Sequence, residues 1–175
     1  GIGTDNVELL IKTALKNIIS ANTTQLTYTP GVWNAVNAID KHRNDANTAD
    51  IIWDIYTDNP TGSELYTFTA STDQCGIYGA EGDCYNREHS FPREWFGGNV
   101  YPMFSDLHHI FPVDGWVNGK HDSNPYGEVS NPTYTSKSNG SKLGPNVTGC
   151  YTGTVFEPIN AYKGDIARAQ LYMIT

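Results

Sequence analysis

The 175-residue chain has the length of one ordinary domain, and its 38% hydrophobic content, four Trp and eleven Tyr exclude a disordered polypeptide. No apolar run approaches the roughly 20 residues of a membrane-spanning helix, so we expect a soluble protein that does not act on membranes. The net charge of −8 disfavours binding of nucleic acid through a broad basic surface. It does not exclude a nonspecific hydrolase, which needs only a local basic strip and a divalent cation in its cleft.

The N-terminal part of the chain begins with two predicted helices, at about 6–40. An amphipathic pattern predicts the first helix over 6–21, and a shorter helix follows over 31–40. A run of β-branched and aromatic residues predicts a strand over 51–56, and alternating apolar residues predict another over 64–70.

The C-terminal part, from Gly97 to the final helix, is rich in Gly, Pro, Asn and Ser. A compact domain with so much irregular chain commonly uses it to build a site. The last predicted helix starts at about 164 and reaches Thr175 without a stop signal, so we expect the chain to continue. We find no internal repeat or low-complexity segment, and we interpret residues 1–175 as a single domain.

The three cysteines leave more than one arrangement open. Cys75 and Cys84 flank a short glycine-containing segment, and a disulfide between them would stabilise the fold by roughly 2–3 kcal/mol and indicate an oxidising compartment. Two free thiols in a reducing cell are the alternative. Cys150 either pairs with a cysteine outside this sequence or is a buried thiol.

Candidate catalytic groups concentrate in one part of the chain, because four of the five histidines lie between residues 89 and 121. Glu88 and His89 place a hard oxygen ligand beside a base whose unperturbed pKa is near neutrality. Asn118, on a short predicted helix, adds a neutral oxygen ligand. Two protein oxygens leave room for water and phosphate, which suits Mg²⁺ better than a closed zinc site.

The adjacency of Glu88 and His89 sets a geometric condition. Neighbouring residues of a regular strand point to opposite faces, so both side chains could not reach one cleft from the middle of a strand. We therefore expect this pair at a strand end or at a bulge.

Three blocks of sequence, in order along residues 50–175, resemble the bacterial endonuclease I family. The first is Cys84–Pro92 with Trp95–Gly97. The second runs from Asp106–His109 through Pro112 and Asp114–Lys120 to Pro125–Val129. The third comprises Ser141–Pro145, Val155–Pro158 and Lys163–Ala169. Three blocks in the same order are far more specific than any single motif.

The resemblance implies an α+β fold, a mixed single domain with irregular loops around a ββα-metal motif of the His-Me finger type. The motif core would span about 84–121, with its second strand at about 107–111 and its helix at about 114–120. In this family pattern His89 is the general base, and Glu88 and Asn118 are the metal ligands. The implied ion is Mg²⁺, with Mn²⁺ or Ca²⁺ as alternative occupants.

The resemblance also implies a function. Similar proteins are secreted or periplasmic nucleases that hydrolyse the phosphodiester bonds of DNA, and often RNA, without sequence preference. The products would carry 5′-phosphate and 3′-hydroxyl ends, and we expect the protein to be a monomer. A secreted glycan-binding or other interaction module is the alternative, suggested by the 12% aromatic content and the acidic balance.

This chain departs from the family pattern in its basic residues. Some relatives have a phosphate-bracing arginine between the Glu-His segment and the second strand, whereas 97–105 contains no Arg or Lys here. Candidates to contact phosphate instead are Arg87, Arg93, Lys120 and His121.

We do not expect four further side chains to take part directly in catalysis. His108 and His109, placed on the predicted second strand, are interpreted as structural histidines, with support of His89 as the alternative. Asp106 is expected to orient a neighbour rather than to bind metal. His42, in a polar loop, is interpreted as a solvated side chain.

Overall fold

The computed structural model describes residues 4–149 and 151–175, which form helices together with three small antiparallel sheets. The helices are α1 (Thr4–Ile19), α2 (Trp33–Ile39), α3 (Gly115–His121) and α4 (Asn160–Met173). The strands are β1 (Lys41–Arg43), β2 (Asp50–Ile52), β3 (Tyr85–His89), β4 (Ile110–Asp114), β5 (Tyr134–Thr135), β6 (Lys142–Pro145) and β7 (Thr154–Glu157). This architecture confirms the predicted α+β class.

The unit formed by β3, β4 and α3 is the structural centre of the molecule. Strand β3 pairs with β4 so that Tyr85 lies opposite Asp114 and His89 opposite Ile110. Asp114 then caps α3, because its Oδ1 accepts a hydrogen bond from the Val117 backbone N–H at 2.9 Å. This cap turns the chain sharply from strand to helix.

Three buried clusters hold this unit in place. The largest lies behind β4 and α3 and contains Ile55, Tyr56, Val113, Val117, Phe156, Tyr162 and Ile166. A second packs Val32 and Val36 of the N-terminal segment against Ile110 of β4. A third joins Ile52 and Phe68 to Tyr85 of β3. Each strand of the pair is therefore anchored by apolar groups from distant parts of the chain.

Two predicted strands differ from the structure because aspartate side chains intervene. The strand predicted over 51–56 ends at Ile52, since Asp54 accepts a hydrogen bond from the Tyr56 N–H and folds the chain into a turn. The strand predicted over 107–111 instead begins at Ile110, because Asp106 forms a turn by accepting the His108 N–H.

Other boundaries also differ. No strand forms over 64–70, where the Phe68 carbonyl accepts one hydrogen bond from the Ile52 N–H but no continuous ladder develops. The C-terminal helix begins at Asn160 rather than at about 164.

Helix α1 has the predicted amphipathic sequence, but its apolar face remains exposed. The side chains that form this stripe are open to solvent along its length, and Leu10 is 60% exposed. Periodicity therefore predicted the helix correctly without predicting a packed position for it.

Cys75 and Cys84 form a disulfide, with their Cα atoms 5.8 Å apart, immediately before β3. The cross-link joins the preceding loop to the start of the strand. Cys150, whose partner the sequence left open, lies outside the described residues. Within the described parts of the chain, no helix has the length and apolarity needed to cross a membrane.

Candidate active site

A cleft of about 270 Å³ opens where β3 ends beside α3. Its polar lining combines carboxylates, two guanidinium groups, an imidazole and amides. The lining residues are Tyr28, Tyr78, Asn86, Arg87, Glu88, His89, Pro92, Arg93, Glu94, Asn118, Gly119, Asp122 and Ser123.

Glu88 and His89 both line this cleft although they are adjacent in sequence. His89 is the last residue of β3. Beyond the strand, the Ser90 N–H donates a hydrogen bond to the His109 carbonyl oxygen. The predicted strand-end position is thus confirmed. The end of the pleat allows neighbouring side chains to share one cavity.

The carboxylate of Glu88 is buried and is held through one of its two oxygens. Oε1 accepts a hydrogen bond from the Tyr56 hydroxyl at 2.9 Å and lies 2.6 Å from Nδ1 of His121. The Tyr56 pKa is raised well above its ordinary value, first by burial and then by the Glu88 charge, so the phenol remains a donor. Among the described residues, no group donates a hydrogen bond to Oε2 of Glu88. This oxygen is therefore available to a ligand in the cleft.

The imidazole of His89 is packed among aromatic rings and oriented by the backbone. Its ring is parallel to that of Phe104, with the two centroids 5.6 Å apart, and Tyr28 stacks on both. Nε2 lies 3.1 Å from the Phe104 carbonyl oxygen. A carbonyl can only accept, so Nε2 carries the proton and Nδ1 carries the lone pair. Burial lowers the His89 pKa to about 4, which also favours the neutral ring.

Asn118 reaches the cleft from α3. Its Nδ2 donates a hydrogen bond to the Arg87 carbonyl oxygen at 3.3 Å and so ties the helix to β3. Because the amide nitrogen is engaged in this bond, the amide is oriented and its oxygen remains available as an acceptor or ligand.

The four candidate phosphate contacts separate into two groups. Arg87 and Arg93 line the cleft, whereas Lys120 and His121 do not. The Arg87 guanidinium donates to the Tyr28 carbonyl and stacks over the Tyr28 and Trp33 rings, so it braces the N-terminal segment. Arg93 is exposed, and its hydrogen bond to Asn99 is long, at 3.4 Å.

The structure corrects the expectation for Lys120 and His121. The Lys120 ammonium lies 4.4 Å from the centre of the Trp116 ring, on the side of α3 away from the cleft lining. His121 is 0% exposed and stacks on Tyr126, so a phosphate cannot reach it. Its role is internal, beside the Glu88 carboxylate.

Asp106 and His108 do not line the cleft. Asp106 orients a neighbour, as expected, because its Oδ1 accepts a hydrogen bond from the His108 backbone N–H at 3.0 Å and lies 2.8 Å from His108 Nδ1. His108 lies in the turn before β4, which corrects its predicted position on the second strand. Asp106 accepts a hydrogen bond from the Tyr172 hydroxyl at 2.7 Å, and the exposed His108 ring stacks on Tyr172. Neither side chain therefore supports His89.

His109 is buried, as expected of a structural histidine, and precedes β4. Its Nε2 lies 2.7 Å from the Met103 carbonyl oxygen, and its ring centroid is 5.5 Å from that of His89. The side chain therefore supports the wall behind the His89 ring.

Several side chains that shape the site were not predicted from the sequence. Tyr56 and Tyr126 lie behind Glu88, and Tyr28 and Phe104 enclose His89. Each comes from a segment outside β3 and, although Tyr126 belongs to the second family block, none was assigned a role in the site. Only their aromatic character, typical of buried positions, hinted at a role.

Comparison with known proteins gives a consistent result. The family described as Endonuclease I matches residues 8–175. An extracellular ribonuclease from Bacillus amyloliquefaciens is 32% identical over 166 residues, which cover 93% of this chain and 47% of the relative. The chain thus spans about half the length of this curated relative. No solved structure matches it. With the family match extending over nearly its whole length, the chain belongs to the endonuclease I family.

Proposed function

We propose that this protein is a metal-dependent endonuclease that hydrolyses phosphodiester bonds of DNA and RNA without sequence preference. The observation that carries the proposal is the convergence of Glu88, His89 and Asn118 on one open, polar cleft. The similarity to an extracellular ribonuclease supports RNA as one substrate.

His89 acts as the general base in this proposal. The Phe104 carbonyl holds Nε2–H, so Nδ1 is the atom that accepts a proton from water. The water oxygen forms a bond to phosphorus as the bond from phosphorus to the 3′ oxygen breaks on the opposite side. The 3′ oxygen then takes a proton from solvent, which leaves 5′-phosphate and 3′-hydroxyl ends. The imidazolium returns its proton to solvent.

Glu88 and Asn118 would hold the metal ion. The donor set fits a hard cation, because the carboxylate retains Oε2 and the oriented amide retains its oxygen. Two protein ligands in an open cleft leave several positions for water and phosphate, as Mg²⁺ prefers, and Mn²⁺ or Ca²⁺ could occupy the same donors. Such an ion would supply positive charge to the phosphate and to the leaving oxygen.

Arg93 is the basic residue that we assign to the scissile phosphate. It lines the cleft and is exposed, whereas the guanidinium of Arg87 is engaged with Tyr28 and Thr29. A guanidinium can bind two phosphate oxygens at once. This assignment supplies the cation that the sequence lacks between residues 97 and 105.

Export to the periplasm or medium, and action as a monomer, complete the proposal. The Cys75–Cys84 disulfide supports an oxidising compartment, and the name of the Bacillus relative describes that protein as extracellular. The single domain predicted over residues 1–175 carries every group used in the reaction.

The test is cleavage of plasmid DNA and of RNA in Mg²⁺ and then in EDTA. We expect degradation in Mg²⁺ only, and we expect His89→Ala to lower the rate by about 10²–10⁴-fold, the usual loss for a general base. DNA binding by His89→Ala, measured in Ca²⁺, should remain near the wild-type value. Intact nucleic acid under all conditions would instead favour the non-catalytic binding module.

A further inference from the structure

A second cluster of metal-binding side chains lies outside the cleft. It consists of His42 on β1, Asp58 at the end of the turn after β2, and Glu64 in the following loop. One ligand atom from each lies within 4.8 Å of the other two. None of the three lines the cleft that contains Glu88. No sequence pattern indicates this cluster, and the structure corrects the interpretation of His42 as a solvated loop residue, since it lies on β1 with its side chain 33% exposed.

Two buried atoms of the cluster lack a hydrogen-bond partner, whereas the Asp58 and Glu64 carboxyl groups hydrogen-bond to each other when one of them is protonated. His42 Nε2 is buried and has no hydrogen-bond partner in the described structure, and the same holds for Glu64 Oε2. The Glu64 side chain as a whole is only 8% exposed. Unpartnered buried polar atoms are costly and call for a ligand or an ion.

The separations within the cluster match the edges of a coordination polyhedron. His42 Nε2 lies 3.5 Å from Glu64 Oε1 and 3.7 Å from Asp58 Oδ1. These distances are too long for good hydrogen bonds. Ligands about 2.0–2.1 Å from a tetrahedral zinc ion are roughly 3.3–3.4 Å from one another. The two separations from His42 Nε2 are close to this value, and all three ligand atoms lie within 4.8 Å of one another.

We propose that His42, Asp58 and Glu64 bind a zinc ion at a structural site separate from the catalytic cleft. One imidazole with two carboxylates is a mixed nitrogen and oxygen donor set, which zinc accepts. Mg²⁺ and Ca²⁺ prefer oxygen ligands alone and are less suited to it. The site would join the β1–β2 hairpin to the loop that contains Glu64.

The backbone holds Asp58 in place independently of any ion. Its N–H donates to the Asp54 carbonyl at 2.7 Å, and its own carbonyl accepts from Asn139 Nδ2 at 3.0 Å. This ligand is preorganised, so binding would mainly order the Glu64 loop against the His42 strand.

The test is equilibrium dialysis against micromolar ZnCl₂, followed by elemental analysis. The background protein carries Glu88→Gln and Asn118→Ala, which removes the two proposed metal ligands of the cleft. We expect one zinc per chain in this background. Adding His42→Ala or Glu64→Gln should weaken binding at least tenfold, and the matched control Lys41→Ala, also on β1, should retain it. Zinc should raise the melting temperature of the background and of the control by about 5–10 °C at saturation, but not that of the two variants.

The proposal would be overturned if the background protein bound no zinc, or if His42→Ala and Glu64→Gln bound zinc as tightly as the background protein does. Circular dichroism checks folding, and Asp58→Asn replaces any variant that does not fold. The result is independent of the nuclease assay, because Mg²⁺-dependent cleavage by the otherwise wild-type chain tests the cleft alone.

Discussion

Two glutamates in this protein each lie next to a histidine in a largely buried setting, yet their surroundings differ. Glu88 has the Tyr56 hydroxyl and the His121 ring on one oxygen, and its other oxygen is available to the cleft. Glu64 faces His42 at a longer distance and lies beside a second carboxylate, with one oxygen unpartnered. Glu88 lines the polar cleft, whereas Glu64 belongs to a cluster of three side chains outside that cleft.

The two sites are connected by one turn. Asp54 accepts hydrogen bonds from the Tyr56 N–H at 2.9 Å and from the Asp114 N–H at 2.7 Å. The turn therefore positions Tyr56 behind Glu88 and Asp58 beside His42, and it also contacts the cap of α3. Glu88 and Asp58 therefore share one scaffold and are both largely buried, but only Glu88 lines the polar cleft.

The largest expected contrast comes from removing each carboxylate charge. Glu88→Gln should lower Mg²⁺-dependent cleavage by about 10²-fold or more. Without the Glu88 charge the ion would be held weakly, and the transition state would lose several kcal/mol of charge stabilisation. Glu64→Gln should leave kcat within about threefold of wild type. Initial rates on plasmid DNA at saturating Mg²⁺ measure both, and equal losses in the two variants would refute the distinction.

The shared turn provides the next test. Asp54→Ala should lower the free energy of unfolding by about 3 kcal/mol, because it leaves buried donors on Tyr56, Thr57 and Asp114 without their acceptor. Asp73→Ala is the matched control, since Asp73 accepts a bond from Thr69 in an exposed loop. Urea denaturation compares them. Similar losses for both would mean that the turn has no special structural role.

Removing the Tyr56 hydroxyl behind Glu88 should have a smaller effect. Tyr56→Phe removes the donor to Oε1 and should reduce activity or metal affinity by about 10–100-fold, the usual range for groups that orient a metal ligand. Tyr134→Phe removes a similar bond to Glu81 and should have little effect on cleavage. A rate for Tyr56→Phe equal to that of Tyr134→Phe would contradict this role.

The smallest effect is expected at His108. The ring is exposed and pairs with Asp106 at the surface, so His108→Ala should change cleavage by less than about twofold and stability by less than about 1 kcal/mol. A loss of tenfold or more in cleavage would show that this histidine acts in the site after all.

Sequence reasoning selected residues that the structure brings together in one cleft, because Glu88, His89 and Asn118 belong to short local patterns. Glu88 and His89 are adjacent, and the strand-end condition followed from the alternation of a β-strand. Asn118 follows the Asp114 cap by four residues, so one short helix places it. Such features depend on neighbouring residues and can be recognised without a three-dimensional fold.

The remaining features depend on contacts between distant segments. Tyr56 and Tyr126 lie behind Glu88 in the core, and no local pattern indicates this role for either of them. His121 looked like a phosphate contact from its position after Asn118, but the packing of Tyr126 and Phe156 around α3 buries it. The outermost ligands of the proposed zinc site, His42 and Glu64, are 22 positions apart in sequence, without the close spacing that marks common zinc motifs.

Binding of Mn²⁺, measured from the signal of the free ion in electron paramagnetic resonance, tests the central claim most directly. The Glu64→Gln protein should bind one Mn²⁺ per chain, and adding Asn118→Ala should weaken this binding at least tenfold, because Glu88 and Asn118 together hold the cation beside His89. Unchanged affinity after removal of the Asn118 amide would contradict the account.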